Sequence, residues 1–165
     1  MVAPVTAENV IEASNPASQA IQVLEVSGGK ETSPLWKSEV GDKEFLEALK
    51  QSLQLHTLLA ENNGRYHLEA ELQELKQPFA GFSMTVRADV HYTLTDTLDG
   101  KVLLDEVMHT EYTASFGDAL AGVKRLQLAN EGAIKSNIAD LISKIVALSK
   151  SLPDGAAQKI ALGGR

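Results

Sequence analysis

The chain contains no cysteine. Disulfides, thiolate metal centres and a cysteine nucleophile are excluded, and redox chemistry assigns no compartment. Aromatic residues are scarce, at 5% of the chain, so the core has to be built largely from aliphatic side chains. No apolar run approaches the roughly eighteen residues of a membrane span. The segment from Met1 to Ile11 has neither the basic start nor the apolar stretch of a secretion leader. Basic clusters are also missing, the longest being Lys124-Arg125 in a chain of formal charge -7. That balance excludes a phosphate-neutralising surface for duplex nucleic acid and predicts repulsion from an anionic bilayer.

What is present is ordinary globular material, 165 residues with 44% hydrophobic and 22% charged side chains. One core can hold a chain of this length without staples. Residues 1–19 combine Pro4, Asn15, Pro16 and small side chains without a period, the pattern of a flexible N-terminal arm. A single α+β domain is expected over residues 20–152, and residues 153–165, opening on Pro153-Asp154-Gly155, read as a flexible tail.

Within the domain the period of the apolar residues changes several times. Ala20 to Val26 is short and β-branched and stops at Ser27-Gly28-Gly29, the mark of a strand. Asp42 is placed to cap a helix to about Leu59, since Phe45, Leu46, Leu49, Leu53 and His56 recur at helical spacing, and Asn62-Asn63-Gly64 would close it. Tyr66, Leu68, Ala70 and Leu72 then alternate with polar residues, as do Val86, Ala88, Val90, Tyr92 and Leu94 after a bend at Gln77 to Gly81. Leu98-Asp99-Gly100 reads as a hairpin turn into a third alternating strand, Lys101 to Ala114. Finally Ile134, Ile138, Leu141, Ile145, Leu148 and Leu152 form the apolar stripe of a long helix from about Val123 to Ser151. The expected fold class is α+β, an antiparallel sheet in β-α-β-β-β-α order with two helices packed on one face.

Parity turns this into a register. A turn centred on Asp99 sets Tyr92 opposite Glu106 and Val90 opposite Met108, while a bend centred on Phe79 sets Glu71 beside Arg87 and His67 beside His91. Both hairpins then share one apolar face and one polar face.

Candidate chemistry follows from that polar face. His67 and His91 as neighbours, with His109 opposite Asp89, would give three imidazoles and a carboxylate for zinc or another divalent metal. Histidines on the wet side of a sheet need no such role, and their spacing matches no compact ligand motif. Glu69, Glu71, Asp89, Asp105 and Glu111 offer carboxylates for acid-base work, but an open face does not supply the burial that shifts a pKa. Glu106 is the acid whose number falls in the apolar set. There is no GxSxG nucleophile turn and no dinucleotide or P-loop glycine pattern, and Ser27-Gly28-Gly29-Lys30 reads as a turn. No cofactor is implied. Trp36, Phe79 and Phe82, aromatics in loops, are candidate partner-binding anchors or caps on the core.

One further pattern bears on function. Val90-His91-Tyr92-Thr93-Leu94-Thr95-Asp96, Gly100-Lys101-Val102-Leu103, Tyr112-Thr113-Ala114 and Leu128-Ala129-Asn130-Glu131-Gly132-Ala133-Ile134-Lys135-Ser136-Asn137-Ile138 occur in that order. This layout resembles the C-terminal half of small bacterial envelope lipoproteins, similar in arrangement to the lipopolysaccharide-transport lipoprotein and to auxiliary lipoproteins of ABC transporters. The resemblance implies a periplasmic, non-enzymatic accessory domain that binds an envelope protein or an amphipathic ligand. Such a domain is anchored to the outer membrane where a leader and a lipidated cysteine precede it. The competing expectations are a carrier of a small apolar ligand, with its pocket between the last helix and the sheet, and a metal-dependent enzyme using the histidines.

Overall fold

Residues 1–30, 39–78 and 81–152 are described by a computed structural model of the chain. Strand β1 (Ile21–Ser27) leads to helix α1 (Asp42–Leu55), then to β2 (Tyr66–Lys76), β3 (Met84–Asp96), β4 (Val102–Ala114) and helix α2 (Gly122–Ser149). The strands lie in the order β1-β2-β3-β4 in one sheet.

The sheet is mixed, which corrects the expected all-antiparallel arrangement: β1 pairs with β2 in parallel, and only the β2-β3 and β3-β4 pairs are antiparallel. The reason is the helix between the first two strands. A strand followed by a helical crossover re-enters the sheet from the end where it started, so its neighbour has to run the same way.

Helix α1 begins one residue earlier than a cap at Asp42 would require, with Gly41 in the N-cap position. The Asp42 carboxylate instead accepts the Gly29 N–H at 2.6 Å and ties the turn after β1 to the helix start. The helix also stops at Leu55, short of Leu59. Thr57 turns with φ 58°, and the Leu58 N–H returns to the Leu53 carbonyl at 2.8 Å. The chain thereby brings Leu59 alongside Ile21 in a parallel bridge.

In the β3-β4 hairpin the register from Met84 to Leu94 is the expected one, with Tyr92 facing Glu106 and Val90 facing Met108, and it shifts by one at Thr95, which faces Val102. Gly100 supplies the positive φ of 71° that the turn needs. The β2-β3 hairpin is displaced. Glu71 faces His91, His67 faces Thr95 and Arg87 faces Lys76, so Glu71–Arg87 and His67–His91 are not pairs. Glu71 meets a residue four places beyond Arg87, and an even displacement leaves every side chain on its expected face. A bulge between Leu72 and Glu74 then reverses the parity of the strand end, turning Leu75 toward the core opposite Ala88.

The even-numbered residues of β2 and β3 form the floor of the core: Tyr66, Leu68, Val86, Ala88, Val90 and Tyr92 are all buried. Both helices cover that side. Phe45, Leu49 and Leu53 of α1 and Ile134, Ile138, Leu141 and Ile142 of α2 are fully buried, and each such side chain stabilises the packing by roughly 1.5 to 3 kcal/mol. Asn137 stands inside the apolar stripe of α2. Its Nδ2 donates to the Met108 carbonyl at 2.9 Å and the Thr110 hydroxyl at 3.1 Å, while Thr110 Oγ1 donates to the Ala133 carbonyl at 3.0 Å. These bonds fix where along the sheet the helix docks.

Residues 1–19 are not a free arm. The Ala3 N–H donates to Ser52 Oγ on α1 at 2.9 Å, Asn15 Nδ2 donates to Ser149 Oγ on α2 at 2.9 Å, and Ala3 and Ala17 are buried. The segment straps the two helices together through small side chains and single hydrogen bonds, contacts that carry no period in sequence. The tail at 153–165 lies outside the described residues.

Candidate functional site

The sheet face away from the helices is built from odd-numbered residues of the long strands, which alternation sends to the uncovered side. Its centre is a row of polar side-chain contacts, one within β3 and two between β3 and β4. Arg87 Nε donates to Asp89 Oδ1 at 2.9 Å, and His109 Nδ1 lies 2.8 Å from the same oxygen. One rung on, His91 Nε2 is 2.6 Å from Asp105 Oδ1. Burial alone would raise the Asp89 pKa, but the hydrogen bonds from Arg87 and His109 outweigh it and hold the carboxylate below its usual range. Asp89 is thus kept ionised, the opposite of what a general acid needs.

The three histidines do not meet. His91 and His109 each engage their own aspartate, and His67 sits between Gln22 and Thr95. Among the described residues no group of three His, Cys, Asp or Glu side chains is gathered to hold a metal ion. The displaced β2-β3 register separates His67 from His91.

At the outer rim Glu106 pairs with Lys144 of α2 at 3.0 Å, which accounts for an acid in the apolar set: it lies at the margin of the helix, not beneath it. At the β3-β4 turn Asp96 accepts a two-pronged bond from Arg65, with Nε at 3.1 Å and NH2 at 2.7 Å from Oδ2, and the Leu98 N–H at 3.0 Å. Burial opposes ionisation there too, and the Arg65 and Leu98 donors overcome it, so the Asp96 pKa falls.

A second surface lies at the opposite end of β3, where the β2-β3 connection meets the one between β4 and α2. Phe82 is 84% exposed, Leu120 79%, Val123 73% and Phe116 49%. The Phe82 and Phe116 rings meet edge to face with centroids 6.4 Å apart. Arg125 holds the two connections together. Its NH1 donates to the Ala119 and Leu120 carbonyls at 2.7 Å, its NH2 donates to the Gly81 carbonyl at 3.3 Å, and its guanidinium stacks 5.2 Å from the Phe116 centroid. Of the aromatic anchors expected from sequence, Phe82 is on this surface, whereas Trp36 and Phe79 lie outside the described residues. Phe116, Leu120 and Val123 were not singled out from sequence. Their only signal is three large apolar side chains in a stretch of Ser, Gly and Ala that has no period.

Beside this end is a depression of about 380 Å³ lined by Met1, Tyr112, Ala114, Asp118, Leu128, Glu131, Gly132 and Lys135. It lies at the margin of α2 and carries charge in its wall. The space beneath the helix is filled by fully buried Ile134, Ile138 and Leu141, which disfavours a carrier with an apolar pocket there. Among the described residues no helix is long and apolar enough to cross a membrane.

No family model matches the chain. No curated protein matches it in sequence either. Its fold does recur in solved structures. Protein XCC0632 from Xanthomonas campestris, described under DUF330, superposes with a TM-score of 0.65 at 12% identity, over 92% of this chain and 94% of that one. A candidate lipoprotein from Caulobacter crescentus gives 0.57 at 13% identity, over 82% and 95%. The hypothetical protein CT253 from Chlamydia trachomatis gives 0.55 at 13% identity, over 74% and 94%. At such identities the likeness is one of fold: a four-stranded mixed sheet with two helices is shared with bacterial proteins that include a candidate lipoprotein.

Proposed function

We propose that this chain is the folded domain of a membrane-tethered envelope lipoprotein, acting without catalysis as an accessory or assembly module in the periplasm. The observation that carries the reading is the likeness over nearly the whole length of a candidate lipoprotein, 95% of that chain, by a domain in which Asp89 and Asp105 on the open sheet face are engaged by Arg87, His109 and His91. Partner contact falls to the polar face and to the outer edge of β4, a strand of 13 residues at the margin of the sheet. An edge of that length presents backbone donors and acceptors to an added strand.

Metabolic labelling with an alkyne fatty acid tests this in cells producing the complete gene product, followed by membrane fractionation. Incorporation of label and recovery with the outer membrane are expected. An unlabelled product in the cytosolic fraction would refute the assignment.

A further inference from the structure

We propose that the apolar end of the domain, Phe82 with Phe116, Leu120 and Val123, is a contact for a phospholipid surface. The inference deepens the tethered-lipoprotein reading and uses it only for orientation. Four large apolar side chains at two adjoining connections, three of them more than 70% exposed, are not scattered surface residues. The Phe82–Phe116 contact and the Arg125 bridge to Gly81, Ala119 and Leu120 hold them as one unit. Phe82, Leu120 and Val123 are the most exposed of the four. Protruding Phe, Leu and Val beside basic residues fit an interface that yields around them, the composition of interfacial anchors.

Charge supports the same occupant. The chain as a whole carries -7, which predicts repulsion from anionic lipid, but the charge is unevenly placed. Flanking the two connections, exposed Lys76 at the end of β2 and exposed Lys124 in the first turn of α2, with the buried Arg125 beside it, stand against Asp118, the one charged residue of the connection between β4 and α2. Asp118 is engaged by the Ser115 N–H and hydroxyl at 2.6 and 2.8 Å. The end that is apolar is therefore also locally cationic, matching headgroup phosphates, while the sheet carboxylates lie farther along the strands. Met1 shares the neighbouring depression with Ala114 and Asp118, so an anchor joined to the N-terminal side of the domain would leave it on this side.

The absence of cysteine makes site-specific labelling clean. An environment-sensitive fluorophore is placed on Leu120→Cys and, as a control, on Leu98→Cys, another exposed leucine at the far end of β3. Untethered protein is mixed with vesicles of phosphatidylethanolamine and a minor fraction of phosphatidylglycerol, some carrying a spin-labelled quencher lipid. Expected are flotation of the protein with the vesicles, quenching at residue 120 but not at 98, and loss of most flotation, roughly tenfold or more, in Phe82→Ser/Leu120→Ser but not in Leu98→Ser. The substituted side chains are exposed, and circular dichroism verifies folding. Wild-type protein that stays with the soluble fraction, or equal quenching at both sites, overturns the proposal. So does concentration-dependent self-association that Phe82→Ser/Leu120→Ser abolishes while vesicles have no effect, which would make the patch a protein contact. The assay needs no acyl chain. A labelled gene product whose domain ignores vesicles keeps the tether and loses this contact, and an unlabelled one whose domain floats does the reverse.

Discussion

Gly132 on α2 lies against the ring of Tyr112 on β4, so closely that a Cβ on residue 132 would stand 2.3 Å from two ring carbons. The helix approaches the sheet edge at a distance only glycine allows. Alanine is the better helix former by about 1 kcal/mol, but forcing a methyl group into a packed contact costs roughly 1 to 3 kcal/mol. The ring atoms met are those near the tyrosine Cβ, which move least. Gly132→Ala is therefore expected to be destabilising, and Gly132→Ala/Tyr112→Ala to be more stable than the sum of the single changes allows. Urea titration of the double-mutant cycle reads this coupling. An additive cycle would mean that the ring is not the obstacle.

Asn137 makes a second demand on the same interface. Replacing it by Ala leaves Thr110 and the Met108 carbonyl, both beneath α2, without their amide partner, and the cost is expected at about 2 kcal/mol or more. Ile138→Ala, one residue on, is expected to cost about 2 to 5 kcal/mol through the cavity it opens. Chemical denaturation of the two variants measures both. Losses under about 0.5 kcal/mol in each would contradict a docked helix.

The sheet register is open to a chemical test, because every cysteine in a variant is an introduced one. Cysteines at Glu71 and His91 face each other across β2 and β3, within reach of a short bifunctional maleimide. The pair Glu71→Cys/Arg87→Cys is four residues out of step and is expected to remain unlinked. Mass spectrometry distinguishes the two, and the opposite outcome would restore a hairpin centred on Phe79.

Asp96 gives a pH dependence of defined sign. Its pKa in the folded protein is lowered by Arg65 and the Leu98 N–H against the opposing effect of burial, so its pairing stabilises the fold above the unfolded carboxylate pKa of about 4. That contribution is lost as pH falls through the lower folded value. Asp96→Asn is expected to be less stable than wild type at pH 7, by about 2 kcal/mol for bonds to a charged group, with the difference shrinking in acid. Stability curves at neutral and acid pH measure it, and a difference that grew in acid would reverse the assignment.

The amino-acid sequence on its own determined the features that depend on neighbours along the chain. Alternation of Tyr66, Leu68, Val90 and Tyr92 with polar residues decided which side of each strand is buried, the Ile134 to Leu148 stripe marked the long helix, and Gly100 marked the tight turn, because period and backbone freedom are local properties. Tertiary structure alone decided the rest. The direction of β1 follows from the path of α1 back across the sheet, and the bulge after Leu72 shows its effect only when Leu75 finds the core. The packing of residues 1–19 depends on Ser52 and Ser149, far away in sequence. The apolar end exists only because Arg125 brings together two connections that have no period of their own. A four-residue slip kept the side chains of β2 from Tyr66 to Leu72 on their proper faces and still parted His67 from His91, since parity is indifferent to even displacements while a metal site requires particular atoms to meet.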